Sequence, residues 1–174
     1  TDEAIQNYQK TIKLKPDFFE ACTALCALLK ESGQLEAAAN PCRRAVDLQP
    51  NNAEAHAALA DILKELGQFI DALTSYRRAL SIRPGYYEVQ GNIGNILFDL
   101  GQPVEALENY RKVLALRPED CIAYNNQGNA LKELGRLDEA LSSYRRALEI
   151  KPDFSMAFSN ILFIHNFLLD QSAA

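Results

Sequence analysis

Tryptophan is absent from these 174 residues, methionine occurs once, and only four cysteines are spread along the chain. That count and length exclude a disulfide-stapled miniprotein. Positive charge is also short: 18 Lys and Arg face 23 Asp and Glu, a formal net charge of −5. Nucleic-acid binding draws its affinity from massed Lys and Arg, so no nucleic-acid partner is expected. No apolar run approaches the roughly 20 residues a membrane helix requires, so no membrane partner is expected. The first residues do not form a secretory signal, and a cytoplasmic location is expected. Hydrophobic residues still make up 48% of the chain, with eight Gly and seven Pro, which excludes a disordered or collagen-like polymer.

Those prolines and glycines are placed with a period. Pro16, Pro50, Pro84, Pro118 and Pro152 recur every 34 residues, and Gly33, Gly67, Gly101 and Gly135 keep the same interval. So do Ala4, Ala38, Ala72, Ala106 and Ala140 and, four positions later, Tyr8, Cys42, Tyr76, Tyr110 and Tyr144. One unit is repeated, and each unit holds two stretches of helical periodicity, about Cys121 to Leu134 and Leu137 to Ile150 in the last full one. Gly135 ends the first stretch, where a left-handed residue is least strained as glycine, and Pro152 lies just beyond the second. Asp17, Asn51 and Asp153, each directly after a repeat proline, are expected to N-cap the next helix. Pro41 falls inside the second helix of its unit and is expected to distort it or delay its start. Gln127 takes an otherwise apolar slot and needs a partner for its amide if buried.

This pattern resembles the tetratricopeptide repeat, whose signature W-x2-L-G-x2-Y…A-x3-F…P maps onto Tyr124, Gln127, Gly128, Leu131, Ala140, Tyr144 and Pro152. The preceding unit supplies Gln90, Ile93, Gly94, Leu97, Ala106, Tyr110 and Pro118 in the same slots. The resemblance implies an all-α fold, a tetratricopeptide α-solenoid in which antiparallel helix hairpins stack into a right-handed superhelix. Small residues at Gly94, Gly128 and Ala140 let the two helices of a hairpin cross closely. Full repeats are expected at 17–50, 51–84, 85–118 and 119–152, with a second helix alone over 1–16. A half repeat over 153–174 would lead towards a further C-terminal region, since Phe154, Phe158, Ile161, Leu162, Ile164, Phe167 and Leu168 make the last helix apolar around much of its circumference. The run AFSNILFIHNF is similar to the junction where the repeats of the O-linked N-acetylglucosamine transferase and SPINDLY-like family pass into their catalytic domain.

Each first helix carries a second stripe, which in the tetratricopeptide family lines the concave wall. Here the stripe accumulates asparagine: Asn92, Asn126 and Asn160 share one position and Asn95 and Asn129 another, with Asn125 adjacent. Asparagine is a poor helix-interior residue, and its amide can pair with the N–H and C=O of a peptide irrespective of sequence. The glycosyltransferase family just named holds substrate polypeptides on a similar asparagine ladder. Asn92, Asn95, Asn125, Asn126, Asn129 and Asn160, with Asp61 and Lys132 of the same stripe, are therefore the candidate peptide-binding residues. The alternative is that these amides hydrogen-bond between repeats or face water. A carboxylate clamp of the kind found in chaperone-binding members is not expected, because its basic slots hold Thr23, Ala57, Gly91 and Asn125.

Cys22 and Cys26 lie four apart on one helical face with Cys42 on the partner helix and His56 in the next unit, a set that invites a metal reading. All four occupy apolar signature slots, so core packing is expected, with no metal and no cofactor. No disulfide framework is implied, which agrees with a reducing compartment. No catalytic constellation or phosphate-binding glycine loop is present, so this chain is not expected to be an enzyme. Three functions are compatible with the sequence: a scaffold binding extended polypeptide, the substrate-selecting segment of a glycosyltransferase, and an architectural rod that self-associates through uncapped ends or its convex face.

Overall fold

A computed structural model describes residues 2–172, with side chains through 168. Among the described residues there are ten helices and no strand: α1 (Asp2–Leu14), α2 (Phe19–Glu31), α3 (Leu35–Leu48), α4 (Ala53–Glu65), α5 (Phe69–Ile82), α6 (Tyr87–Asp99), α7 (Pro103–Leu116), α8 (Cys121–Glu133), α9 (Leu137–Ile150) and α10 (Ser155–Ser172). The chain is all-α and has the helix-hairpin construction of a tetratricopeptide solenoid. It forms two compact units, Thr1–Val89 and Gln90–Ala174. In the first, α2 packs on α3 and α4 on α5, with α1 against α2 and α3 against α4. In the second, α8 packs on α7 and α9, and α10 on α9.

The turn inside each hairpin is written by glycine. Gly33, Gly67, Gly101 and Gly135 all have φ between 71° and 74°. In the first of these turns Gly33 N–H donates to the Lys30 carbonyl at 2.9 Å and Gln34 N–H to the Leu29 carbonyl at 2.8 Å. That is the paired bonding of a Schellman motif, and it recurs at the other three glycines. Between hairpins the proline makes a different turn. Asn52 N–H reaches the Gln49 carbonyl at 3.0 Å and Asp120 N–H the Arg117 carbonyl at 3.2 Å, so proline and the residue after it occupy the turn itself.

This moves the helix caps one residue beyond expectation. Asn52 and Asp120 are the N-caps of α4 and α8, accepting from Ala55 and Ala123 N–H at 2.9 Å. Asn51 instead accepts from Arg78, and Asp17 and Asp153 lie in their turns. Phe18 stands at the cap of α2 with no side-chain bond. Pro41 likewise departs from expectation: α3 starts at Leu35 and continues through the buried proline to Leu48, the same length as α5, α7 and α9. Burial of the proline opposes the loss of one backbone bond.

The close crossings are real. A Cβ on Gly94 would sit 2.7 Å from the Tyr110 ring, and one on Gly128 would sit 2.5 Å from the Tyr144 ring. Tyr76 fills the corresponding space beside Ala60. In the hairpin of α2 and α3 the same two slots hold Cys26 and Cys42, and here the structure corrects the expectation of free thiols: they form a disulfide, with Cα atoms 5.3 Å apart. The crossing slot brings two backbones within the distance a disulfide spans, and with small side chains on both helices the sulfurs meet. Cys22 remains a buried free thiol whose pKa is pushed up by burial. Gln127 finds its partner in the Ser143 hydroxyl at 3.2 Å. Phe154, just before α10, and Ala157 and Ile164 on it are buried, while Met156, Phe158, Leu162, Phe163 and Phe167 stay exposed.

Candidate functional site

The asparagine stripe of the Gln90–Ala174 unit is a bonded lattice. Asn92 and Asn95 are one turn apart on α6, Asn126 and Asn129 repeat the arrangement on α8, and Asn160 follows on α10. Fifteen residues after each inner asparagine stands a buried tyrosine from the partner helix. Tyr110 donates its hydroxyl to Asn95 Oδ1 at 2.9 Å, and Tyr144 does the same to Asn129 Oδ1 at 2.8 Å. The neighbouring repeat adds a second donor to each oxygen: Asn126 Nδ2 reaches Asn95 Oδ1 at 3.0 Å, and Asn160 Nδ2 reaches Asn129 Oδ1 at 3.1 Å.

These bonds orient the amides. With two donors on its oxygen, each of Asn95 and Asn129 has its acceptor capacity filled, and its amide nitrogen is the end left to meet a ligand. Asn160 is turned the other way: its nitrogen donates to Asn129 and, at 3.1 Å, to Asn125, which leaves its oxygen as the acceptor. Asn125 is only 3% exposed, so its part is in this lateral bonding. Both tyrosine pKa values are raised, first by burial and then by the nearby carboxylates of Asp99 and Glu133, which keeps the phenols protonated as donors.

Two recesses open over the lattice. One of about 390 Å³ is lined by Asn95, Phe98, Asp99, Tyr110, Asn126 and Asn129. The other, about 360 Å³, is lined by Asn125, Asn129, Ser155, Met156, Ser159 and Asn160. Asn129 belongs to both. The arrangement offers amide donors and acceptors one repeat apart.

The remaining candidates lie apart from this lattice. Lys132 stands over the Phe163 ring at 5.0 Å from its centroid. Asp61 belongs to the Thr1–Val89 unit, where it accepts from the Tyr76 hydroxyl and from Lys30 at 3.2 Å. Burial lowers the Lys30 ammonium pKa, but Asp61 and Glu65 outweigh it and the net shift is upward. The residues that sequence reasoning passed over are Tyr110 and Tyr144, taken only as core aromatics; their constant offset of 15 from an Asn or Asp was the available signal. Cys26 and Cys42 have no thiolate to give a metal, and His56 bonds the Pro50 carbonyl at 3.0 Å. Among the described residues no group of His, Cys, Asp or Glu is gathered to hold a metal ion, and no helix is long and apolar enough to cross a membrane.

The family models for the tetratricopeptide repeat match residues 1–62, 53–86 and 86–153. No curated protein matches the chain. Among solved structures, MamA superposes with a TM-score of 0.84 at 25% identity, over 88% of this chain and 90% of that one. MamA of Desulfovibrio magneticus RS-1 gives 0.83 at 20% identity, over 89% and 88%. YrrB gives 0.82 at 22% identity, over 91% and 81%. Three adjoining repeat models, the Schellman glycines at a fixed interval and the small-residue crossings describe one architecture: the chain belongs to the tetratricopeptide repeat family.

Proposed function

We propose that this chain is a scaffold that binds an extended polypeptide along the asparagine-lined recesses of the Gln90–Ala174 unit. The observation that carries the reading is the orientation of the amides by Tyr110 and Tyr144, which presents Asn95 and Asn129 as donors to successive peptide carbonyls. The recesses above the lattice leave room for an extended backbone against these amides. Tetratricopeptide proteins mediate protein–protein interactions through surfaces of this kind, and YrrB is described as having an unusual peptide-binding site.

The test is selection from a random dodecapeptide library, followed by titration of the enriched peptides. Asn95→Ala with Asn129→Ala should weaken binding about tenfold or more, as the loss of two hydrogen bonds of roughly 1 kcal/mol each implies. Helical content measured by circular dichroism should be retained. Equal affinity of the double variant would overturn the reading. Its narrower form, substrate selection for a glycosyltransferase, has the resemblance of the AFSNILFIHNF run in its favour. A gene reading frame without a nucleotide-sugar-binding α/β domain would remove that narrower form alone.

A further inference from the structure

Two departures from the repeat meet at one cleft of the Thr1–Val89 unit. Its volume is about 790 Å³, about twice that of either recess over the asparagines, and residues of α1 and α3 line it together with Leu25 of α2. Pro41 takes the slot that holds Ser75, Asn109 and Ser143 in the other hairpins, and Lys13 takes the slot that holds Asp47, Ser81, Ala115 and Glu149. The first departure makes the floor apolar: Leu25 and Pro41 are buried, and Ile12 and Leu48 of the same lining are half-buried. The second adds a cation to a rim that already carries Arg43 and Arg44, all three of them exposed. A proline inside a helix forfeits a backbone bond, and local rules are broken in this way chiefly at functional sites.

We infer that this cleft binds an acidic polypeptide segment, seating an aliphatic side chain on its floor and carboxylates on Lys13, Arg43 and Arg44. The cations are available for it. Among the described residues the side chains of Lys13 and Arg43 form no hydrogen bond or ion pair, and Arg44 uses only its Nε–H, on the Pro16 carbonyl at 2.6 Å. Asp47 is the one acid in the lining and pairs with none of them. The C-terminal ends of α1 and α3 add about half a negative charge each, so three cations still leave the cleft positive. Ammonium and guanidinium groups hold carboxylates in charge-assisted bonds, and a positive rim steers in an acidic partner and repels a basic one. The floor then selects among anions. A free phosphate or a nucleic-acid backbone would leave Ile12, Leu25, Pro41 and Leu48 facing water, whereas a leucine set between acids covers them. The site belongs to α1 and α3 and does not depend on the asparagine reading.

The experiment is titration of the ¹⁵N-labelled chain with acetyl-Glu-Asp-Leu-Asp-Glu-amide, its glycine-centred counterpart, acetyl-Lys-Lys-Leu-Lys-Lys-amide and inorganic phosphate. The first should shift the amide signals of Lys13, Arg43 and Leu48 and bind about tenfold tighter there than the glycine peptide, as burial of one leucine side chain implies. The lysine peptide and phosphate should leave those signals in place, and added salt should weaken the acidic peptide. Lys13→Glu with Arg43→Glu exchanges two exposed side chains that bond nothing in the fold, so circular dichroism should be unchanged while binding falls tenfold or more. No shift with the acidic leucine peptide, equal affinity for the glycine or lysine peptide, equal shifts with phosphate, or full affinity in the charge-reversed variant would each overturn the inference. Asn95→Ala with Asn129→Ala should leave this binding intact. Its loss in that variant would move the acidic peptide to the asparagine lattice, overturning the inference and leaving the proposed function standing.

Discussion

A single hydroxyl and a single missing methyl decide much of this molecule. Tyr144 lies as close to α8 as it does because Gly128 has no Cβ, and from there its hydroxyl reaches Asn129. Gly128→Ala places a carbon 2.5 Å from a ring that is fully buried and tied at its far end. The sibling pair Ala60 and Tyr76 shows that a hairpin can be built with alanine in this slot, so the helices can separate to admit it. The helix-propensity gain of alanine, about 1 kcal/mol, offsets part of an overpacking penalty of roughly 1–3 kcal/mol. The expected net result is a loss of about 1 kcal/mol, seen as a lower urea midpoint with unchanged slope. Gly94→Ala, with 2.7 Å to its ring, should lose less. A variant as stable as the parent would show that the crossing is looser than its geometry.

At the scale of the helix, the Gly135 stop and the start of α9 at Leu137 were legible from period and punctuation alone, because backbone conformation at Gly and Pro is a local property. The caps were misplaced by one residue, since the proline turn consumes the following Asp or Asn before the helix begins. The asparagine stripe was legible as a row of residues but not as oriented donors, because orientation depends on tyrosines of the partner helices. The disulfide was missed for a similar reason: Cys26 and Cys42 were weighed with Cys22 and His56 as a metal set and then as core residues, although the two occupy the crossing slots that Gly128 and Tyr144 fill elsewhere. Joining residues 16 apart, the bond constrains the unfolded chain by about 3 kcal/mol on a loop-entropy account. Reduction with dithiothreitol should therefore lower the unfolding midpoint and speed amide exchange in α2 and α3. Exchange rates there that ignore the reductant would mean the native packing already supplies the constraint.

Across the whole molecule, the resolved shifts of the buried groups point one way with pH. The Cys22 thiol is raised by burial, Tyr110 and Tyr144 by burial and then a neighbouring carboxylate, and Lys30 is raised by Asp61 and Glu65 against its burial. A group whose folded pKa exceeds its unfolded one holds its proton longer in the native state, so folding takes up protons in the interval between the two values. Stability contributed this way is complete below the unfolded pKa and declines as pH rises through that interval. The decline begins near the ordinary cysteine value of about 8.5 and steepens beyond about 10, where each buried tyrosine adds roughly 1.4 kcal/mol per pH unit. Because Cys22 lies in Thr1–Val89 and both tyrosines in Gln90–Ala174, alkali acts on each unit through its own groups. Urea midpoints should thus be level between pH 7 and 8 and fall sharply by pH 10.5. Tyr110→Phe with Tyr144→Phe, which removes the two titrating phenols, should flatten the upper part of that fall even though it starts from a less stable chain. A fall of the same steepness in the double variant would assign the alkaline loss to groups other than the phenols that orient the asparagine lattice.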